Sequence, residues 1–386
     1  MLKSLLEKKE KKVEYVELIY DLIFVYIIGR NNALMHNIEN GFVSWGTFLN
    51  YAVGTLAVIQ IWNFTTYYIN AYGRNSVRDH VFQFINMFLL YFVGEGIRSD
   101  WGDYHTQYHV AWALILVNIG VQYLIEMRHH KNEKWHTQRF VRMTATLFIE
   151  AAIVGFSVAE YQLWHTSFAS FAAIVFGVAS VFLTGKKSCP ELIDFEHLTE
   201  RAMLYVVFTF GEMIIAIAGY FEGDFSLNSL YFALMGFLIV VALFLSYEVI
   251  YDHIVDRKMQ TNGLGYMFIH IFIIFSLNNI TTALEFMREE AVSLFPKMLF
   301  LTASMLLYFA FLFSTVFYAK KKCHFKRSFY WLMGGAAVLF TALMLLFREW
   351  MAVNIAVTVA YVFGVFFYIY HSGKKLEASG SESSEK

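Results

Sequence analysis

The sequence predicts an all-α polytopic membrane protein of about twelve transmembrane helices, arranged as two parallel six-helix repeats. Three observations predict it. Of 386 residues, 58% are apolar and 19% aromatic, while only 16% are charged; an ordinary soluble domain carries about 25% charged residues. The apolar residues come in runs of roughly 20, the length at which a helix crosses about 30 Å of hydrocarbon. Lysine and arginine alternate from loop to loop as an even number of spans requires. A membrane barrel would show alternating segments of about ten residues instead.

The spans are expected at 16–36, 45–70, 81–98, 107–127, 139–159, 163–184, 199–220, 228–250, 264–286, 297–319, 328–347 and 350–371. The first dozen residues are rich in Lys and Glu and lack a small-residue cleavage site, so the first run reads as a signal anchor. The N-terminus, the even-to-odd loops and the C-terminus together hold 23 Lys and Arg, and the opposite loops hold five. By the positive-inside rule both termini are expected in the cytoplasm. Cys189 and Cys323 fall in basic loops and suggest no disulfide framework. Pro190 and Pro296 each precede an apolar run, where a missing N–H costs nothing. The polar end of the chain, 376–386, is expected to be disordered.

The two halves resemble each other. His136-Thr-Gln-Arg-Phe140 opens span 5, and His324-Phe-Lys-Arg-Ser-Phe329 opens span 11, 188 residues later. Gly185-Lys-Lys187 and Gly373-Lys-Lys375 close spans 6 and 12 at the same offset. Glu17 answers Glu200 at the start of span 7. The expected repeats are 1–187 and 188–375. With six spans each they would be parallel, and transporter folds place their sites where such repeats meet.

Ionisable residues inside spans are the candidate site. An ionised carboxylate there costs several kcal/mol unless it is paired, hydrated or protonated. Glu17 and Asp21 lie one helical turn apart in span 1; they read as a cation or proton site, or as interfacial acids paired with a basic loop. Span 7 carries Glu200, Arg201 and Glu212. Arg201 and Glu212 are 11 residues apart, about 16 Å along one helix face, too far to pair. Glu17 or Asp21 is the natural partner for Arg201, and Glu212, beside Gly211 near the midplane, is the favoured ion or proton site. Glu150, central in span 5, reads equally as a protonated structural acid or as part of a proton path. Asn278 and Asn279 in span 9 could coordinate a cation, but helix bridging fits them better. Glu95 repeats the Gly-Glu pairing near the outer face, and Glu248 and Asp252 read as interfacial. His105 and His109 sit in Asp100–His109, read as a hydrated aromatic-belt loop rather than a metal site. No phosphate-cradling loop, HExxH or CxxC is present, and the loops are too short to house a soluble catalytic domain. No cofactor and no resident metal are called for.

Three stretches carry a resemblance to a known family. Val16-Glu-Leu-Ile-Tyr-Asp-Leu-Ile-Phe-Val25 is similar to the ELFFDLVFV-like opening of the low-temperature-requirement protein A (LtrA) family of bacterial membrane proteins. Trp62–Asn70 with Arg78 resembles its second span and following loop. His197-Leu-Thr-Glu-Arg201 and Phe210-Gly-Glu-Met-Ile-Ile-Ala-Ile217 resemble its central HFxERFGLFTIIxLGExIIAI run. Tyr20 stands where the family has Phe, and Ala202-Met203 where it has Phe-Gly; both changes leave the acids intact. The resemblance implies Glu17, Asp21, His197, Glu200, Arg201, Gly211 and Glu212 as the family's polar positions and low-temperature growth as a phenotype. It assigns no substrate. A secondary transporter for a small solute or ion is the first reading. A dimeric ion channel lined by spans 1 and 7 is the second, and a membrane enzyme or lipid-handling protein the third. The expected partners are the bilayer, a small solute or cation and a second copy of the chain, with no nucleic acid.

Overall fold

The computed structural model describes residues 11–96, 101–129, 134–185, 193–221, 226–321, 323 and 325–381. Among these, twelve α-helices follow one another: α1 (Tyr15–Asn32), α2 (Trp45–Tyr72), α3 (Val77–Glu95), α4 (Trp101–His129), α5 (Lys134–Trp164), α6 (Phe168–Gly185), α7 (Phe195–Ala218), α8 (Leu227–Val249), α9 (Leu264–Phe286), α10 (Leu294–Ser314), α11 (Arg327–Leu346) and α12 (Met351–Ser381). Nine of the helices are long and apolar enough to cross a membrane: α1, α4, α5 and α7 to α12. The other three differ for local reasons. Gln60, Asn63, Thr65, Thr66 and Asn70 are buried on α2 and dilute its apolar run. The first three turns of α3 carry Arg78, Asp79, His80, Gln83 and Asn86. α6 is apolar throughout but short.

The chain divides into two compact units. The first comprises Met1–Asn37, Trp45–Leu204 and Gln260–Met267. Within it α4 packs on α3 and α5, α5 on α6, and α1 on α2 and α3, while α2 touches α1, α4 and α6. α2 is therefore this unit's central helix, with Tyr51, Ala57, Val58, Ile59, Ile61 and Trp62 all buried. A capping box starts α3: the Ser76 hydroxyl accepts from Asp79 N, and the Asp79 carboxylate accepts from Ser76 N. Gly54 lets α1 and α2 approach, since a Cβ there would lie 2.9 Å from Asn31 Oδ1.

The second unit comprises Ile38–Ser44, Tyr205–Met259 and Phe268–Lys386. Here α12 packs on α8, α10 and α11, and α10 on α11. Tyr308 on α10 donates to the Leu243 carbonyl of α8 at 2.9 Å, and Phe340 and Tyr361 stack α11 on α12 with centroids 4.2 Å apart. A small hairpin, β1 (Ile38–Glu39) and β2 (Phe42–Val43), turns through Asn40 and Gly41. Both turn residues have positive φ, 53° and 84°, as the type I′ turn favoured by Asn-Gly requires. Pro296 sits in the first turn of α10, where its missing N–H is an orphan anyway. Cys323 is buried; Cys189 lies outside the described residues. α12 continues to Ser381, past the expected end of the last span, and 382–386 of the expected tail lie outside the described residues.

One local expectation is corrected. The stretch expected to be a hydrated loop around His105 and His109 is the start of α4, and both histidines are buried. Their rings stack 3.9 Å apart. His109 Nδ1 donates to the His105 carbonyl at 2.7 Å, and Nε2 accepts from Ser170 Oγ at 2.6 Å. Ser157 Oγ lies 2.7 Å from the same hydroxyl, so polar side chains staple α4, α5 and α6. No group of three or more metal-ligating side chains occurs among the described residues.

Glu160, near the end of α5, closes the turn into α6. Its carboxylate accepts from Phe168 N at 3.0 Å, Ala169 N at 2.8 Å and Thr166 Oγ1 at 2.7 Å. Replacing Glu160 by Ala strips the first turn of α6 of its acceptor, a loss of about 1–2 kcal/mol by analogy with helix caps. The expected outcome is a lower melting temperature in detergent, with faster amide exchange confined to Phe168 and Ala169; unchanged exchange there would remove the capping role.

Candidate functional site

The site of the first unit is built on Arg201, fully buried one and a half turns into α7. An unpaired guanidinium in such surroundings is untenable, so every donor direction must meet an acceptor. α1 supplies them. Glu17 and Asp21 are one turn apart and project from the same face. Arg201 Nε donates to Asp21 Oδ2 at 3.0 Å and Nη2 to Asp21 Oδ1 at 2.5 Å, a bidentate fork, while Nη1 donates to Glu17 Oε2. Glu17 and Asp21 are themselves 2% and 0% exposed.

A surrounding ring fixes these groups. Trp62 on α2 donates its indole N–H to Asp21 Oδ1 at 2.8 Å. His197, one turn before Arg201, places Nε2 3.3 Å from Glu17 Oε2. Asn70 sets the tautomer of that ring. Its Oδ1 accepts from Asp194 N at 3.0 Å and its Nδ2 donates to the Asp194 carbonyl at 2.8 Å, which settles the amide orientation. The same Nδ2 lies 3.0 Å from His197 Nδ1. Nδ1 is therefore the acceptor, and Nε2 carries the proton towards Glu17. Asp194 begins α7, its carboxylate accepting from His197 N at 3.2 Å. Tyr20, the departure from the family pattern, uses its added hydroxyl on Thr65 Oγ1 at 3.0 Å.

Glu17 also lines a half-open cavity of about 590 Å³, together with Lys11, Arg74, Asp79 and Gln83. Lys11 spans its edge. Its ammonium donates to the carbonyls of Ile69 and Gly73 at the end of α2, and its backbone N–H donates to Asp194 at 3.2 Å. Burial pushes the Lys11 amine below the ordinary lysine range, against the opposing pull of Glu17. Glu200 half-faces a neighbouring pocket with Lys11, Asp194 and Glu196, and does not join Arg201.

Charge counting shows what the cluster can do. Two carboxylates, Glu17 and Asp21, face one guanidinium, and the Lys11 ammonium on the same cavity as Glu17 supplies the second positive charge. The positive side is thus split between buried Arg201 and Lys11 on the cavity, so a cation that enters the cavity and displaces Lys11 changes the charge facing Glu17.

The structure thus joins three of the sequence-derived candidates, Glu17, Asp21 and Arg201. Glu150 lies elsewhere in the first unit, fully buried on α5. Glu212 belongs to the second unit and is half-buried; a Cβ on the neighbouring Gly211 would meet nothing within 4 Å. Asn278 is buried on α9 with neither side-chain polar atom bonded, and Asn279 is buried beside it. Sequence reasoning missed Trp62, Asn70 and Asp194, and gave His197 only through the family resemblance. It also missed Glu126, a fully buried acid on α4 that binds Arg74 at 2.6 Å and Arg78 at 3.0 Å. The available signal was the run of short polar residues along α2, an unusual load for a helix amid apolar neighbours.

The family described as Bacterial low temperature requirement A protein (LtrA) matches residues 12–366, nearly the whole chain. Neither the curated proteins nor the solved structures give a match.

Truncating one partner of a buried ion pair leaves an uncompensated charge and costs about 3–5 kcal/mol. Arg201→Met is therefore expected to destabilise the protein sharply, while Arg201→Met combined with Glu17→Gln and Asp21→Asn recovers most of the loss. Thermal unfolding of the purified variants in detergent checks this. Simple additivity of the three changes would show that the groups are not one energetic unit.

Proposed function

Because the chain belongs to the bacterial low temperature requirement A (LtrA) family, we propose that it is a secondary transporter that moves a small solute or ion using intramembrane carboxylates as cation or proton sites. The observation that carries this reading is the buried Glu17–Asp21–Arg201–His197 set, in which Glu17 lines a cavity that it shares with Lys11. A purely structural pair would be sealed from any cavity. Here a cation arriving through the cavity competes with Lys11 and changes the charge on Glu17's side of the cluster. Arg201 then redistributes between its two carboxylates, and α1 and α7 respond because these groups join them.

Twelve spans in a six-plus-six duplication fit this reading. Exposed Val81, Phe84, Ile85, Phe88 and Phe92 form an apolar face on α3, and exposed Phe168, Phe171 and Val175 do so on α6, which supports lipid contact for both. The pairings α2–α6, α4–α5 and α5–α6 recur as α8–α12, α10–α11 and α11–α12, whereas α1–α2, α1–α3, α2–α4 and α3–α4 have no such counterpart among the described residues. The count of basic residues supports cytoplasmic termini. In the second unit Glu212 on α7 and Asn278 and Asn279 on α9 are the further candidate positions.

The test is flux in proteoliposomes, with an internal pH dye reporting proton movement under imposed Na⁺, K⁺ and pH gradients. Saturable flux that falls at least about tenfold in Glu17→Gln and in Asp21→Asn is expected, tenfold corresponding to about 1.4 kcal/mol. Full flux in both variants would sink the proposal, and unitary currents in planar bilayers would replace it with a channel.

A further inference from the structure

The buried acid that the arginine cluster leaves unused is Glu150. Gln60 on α2, Glu150 on α5 and Gly177 on α6 all lie near the middle of their helices. Both Glu150 oxygens and Gln60 Oε1 are buried without a hydrogen-bond partner. Gln60 Nε2 donates to the Ile174 carbonyl at 3.3 Å. Gly177 makes room for the pair: a Cβ there would collide with Gln60 Nε2 and Glu150 Oε2 together. The amide and the carboxyl therefore converge on one point between three helices.

Nothing nearby can neutralise a carboxylate. α2 from Thr55 to Thr66, α4 from Val110 to Gln122 and all of α6 hold no titratable side chain, and on α5 from Met143 to Ala159 only Glu150 is titratable. Arginine compensation, the solution used for Asp21, is unavailable here. A metal ion would need several oxygen ligands, and the site offers one carboxyl, one amide oxygen and a backbone carbonyl already engaged. A proton needs only Glu150 itself. Once protonated, the carboxyl O–H can donate to Gln60 Oε1 while its carbonyl oxygen accepts from Gln60 Nε2, which satisfies every orphan at once.

We propose that Glu150, paired with Gln60 in the space left by Gly177, is a proton-binding site at mid-depth in the first unit. Its use in transport rests on the carrier reading above, whereas the protonation does not. α2 supplies the route to it. Gln60, Asn63, Thr66 and Asn70 form a stripe on one face of that helix. Ten residues, about 15 Å, separate Gln60 from the Asn70 that binds His197. Asn63 Oδ1 and Thr66 Oγ1 along this stripe are also buried without a side-chain partner, which leaves acceptors for the bridging waters that a proton route between Asn70 and Glu150 requires.

Infrared difference spectroscopy of the purified protein tests the site without a known solute. The carbonyl stretch of a protonated buried carboxyl is expected at neutral pH, lost in Glu150→Gln and moved in Gly177→Ala. It should shift on transfer to D₂O, and Asn63→Leu should slow that shift. Absence of a Glu150-dependent band would overturn the proposal. So would a band that never exchanges in D₂O, which marks a sealed structural acid, or carboxylate bands that change with Na⁺ rather than with pH. A band that exchanges normally in a protein without proteoliposome flux would keep the site and refute the carrier.

Discussion

The bidentate grip of Arg201 on Asp21, extended to Glu17, is the constraint on which the first unit depends. A guanidinium is always charged, and in a buried place it cannot shed its proton to escape. The helices around it must therefore deliver acceptors in fixed directions. α1 must present Glu17 and Asp21 on one face, α7 must begin at Asp194 so that His197 and Arg201 point the same way, and α2 must bring Trp62 and Asn70 alongside. Burial that would otherwise cost several kcal/mol per ion becomes tolerable only as a complete network, which explains why so many short polar side chains converge here. Packing of apolar residues could have held these helices together with less demand on geometry. A network that must be complete instead makes the arrangement sensitive to any added or removed charge.

That sensitivity is what separates this cluster from the Glu126 pair on α3 and α4. There two arginines meet one buried carboxylate, with Asp79 close to Arg78, and the charges balance. Around Arg201 the second positive charge is Lys11, held by backbone carbonyls at the edge of the cavity that Glu17 lines. Both clusters are legible as buried ion pairs, but only one has part of its balancing charge on a cavity wall.

The membrane class, the order of the helices and the partnership of Arg201 with α1 were legible in the sequence because each rests on a strong local rule: apolar run length, or the cost of an unpaired charge. What escaped had weaker signals. Trp62 and Asn70 look like ordinary residues of an apolar helix until their partners are known, since a side chain's hydrogen bond is fixed by tertiary placement. His105 and His109 lie in a polar-looking stretch, and only the seat offered by Ser157 and Ser170 draws them into the interior as part of α4. The Asn40-Gly41 hairpin carried a local signal, but one too short to stand out between two long apolar runs. Glu212 attracted weight because Gly211 beside it leaves a gap where a helix or ligand can approach, and Gly211 does face open space.

Glu150 and Asp21 show two physical answers to the same difficulty. Asp21 remains an anion because Arg201 and Trp62 meet its oxygens. Glu150 has no such neighbour within the titratable-free lengths of α2, α4 and α6, so neutrality must come from the proton it carries. Gly177 separates these cases: with no Cβ, it leaves room for a neutral amide–carboxyl pair and for nothing larger. A site neutralised by arginine responds to charge arriving from outside, whereas one neutralised by a proton responds to proton activity. On the proposed reading, the first beside a cavity and the second at mid-depth, with the polar face of α2 between them, would give one helix unit both a place to sense a cation and a place to store a proton.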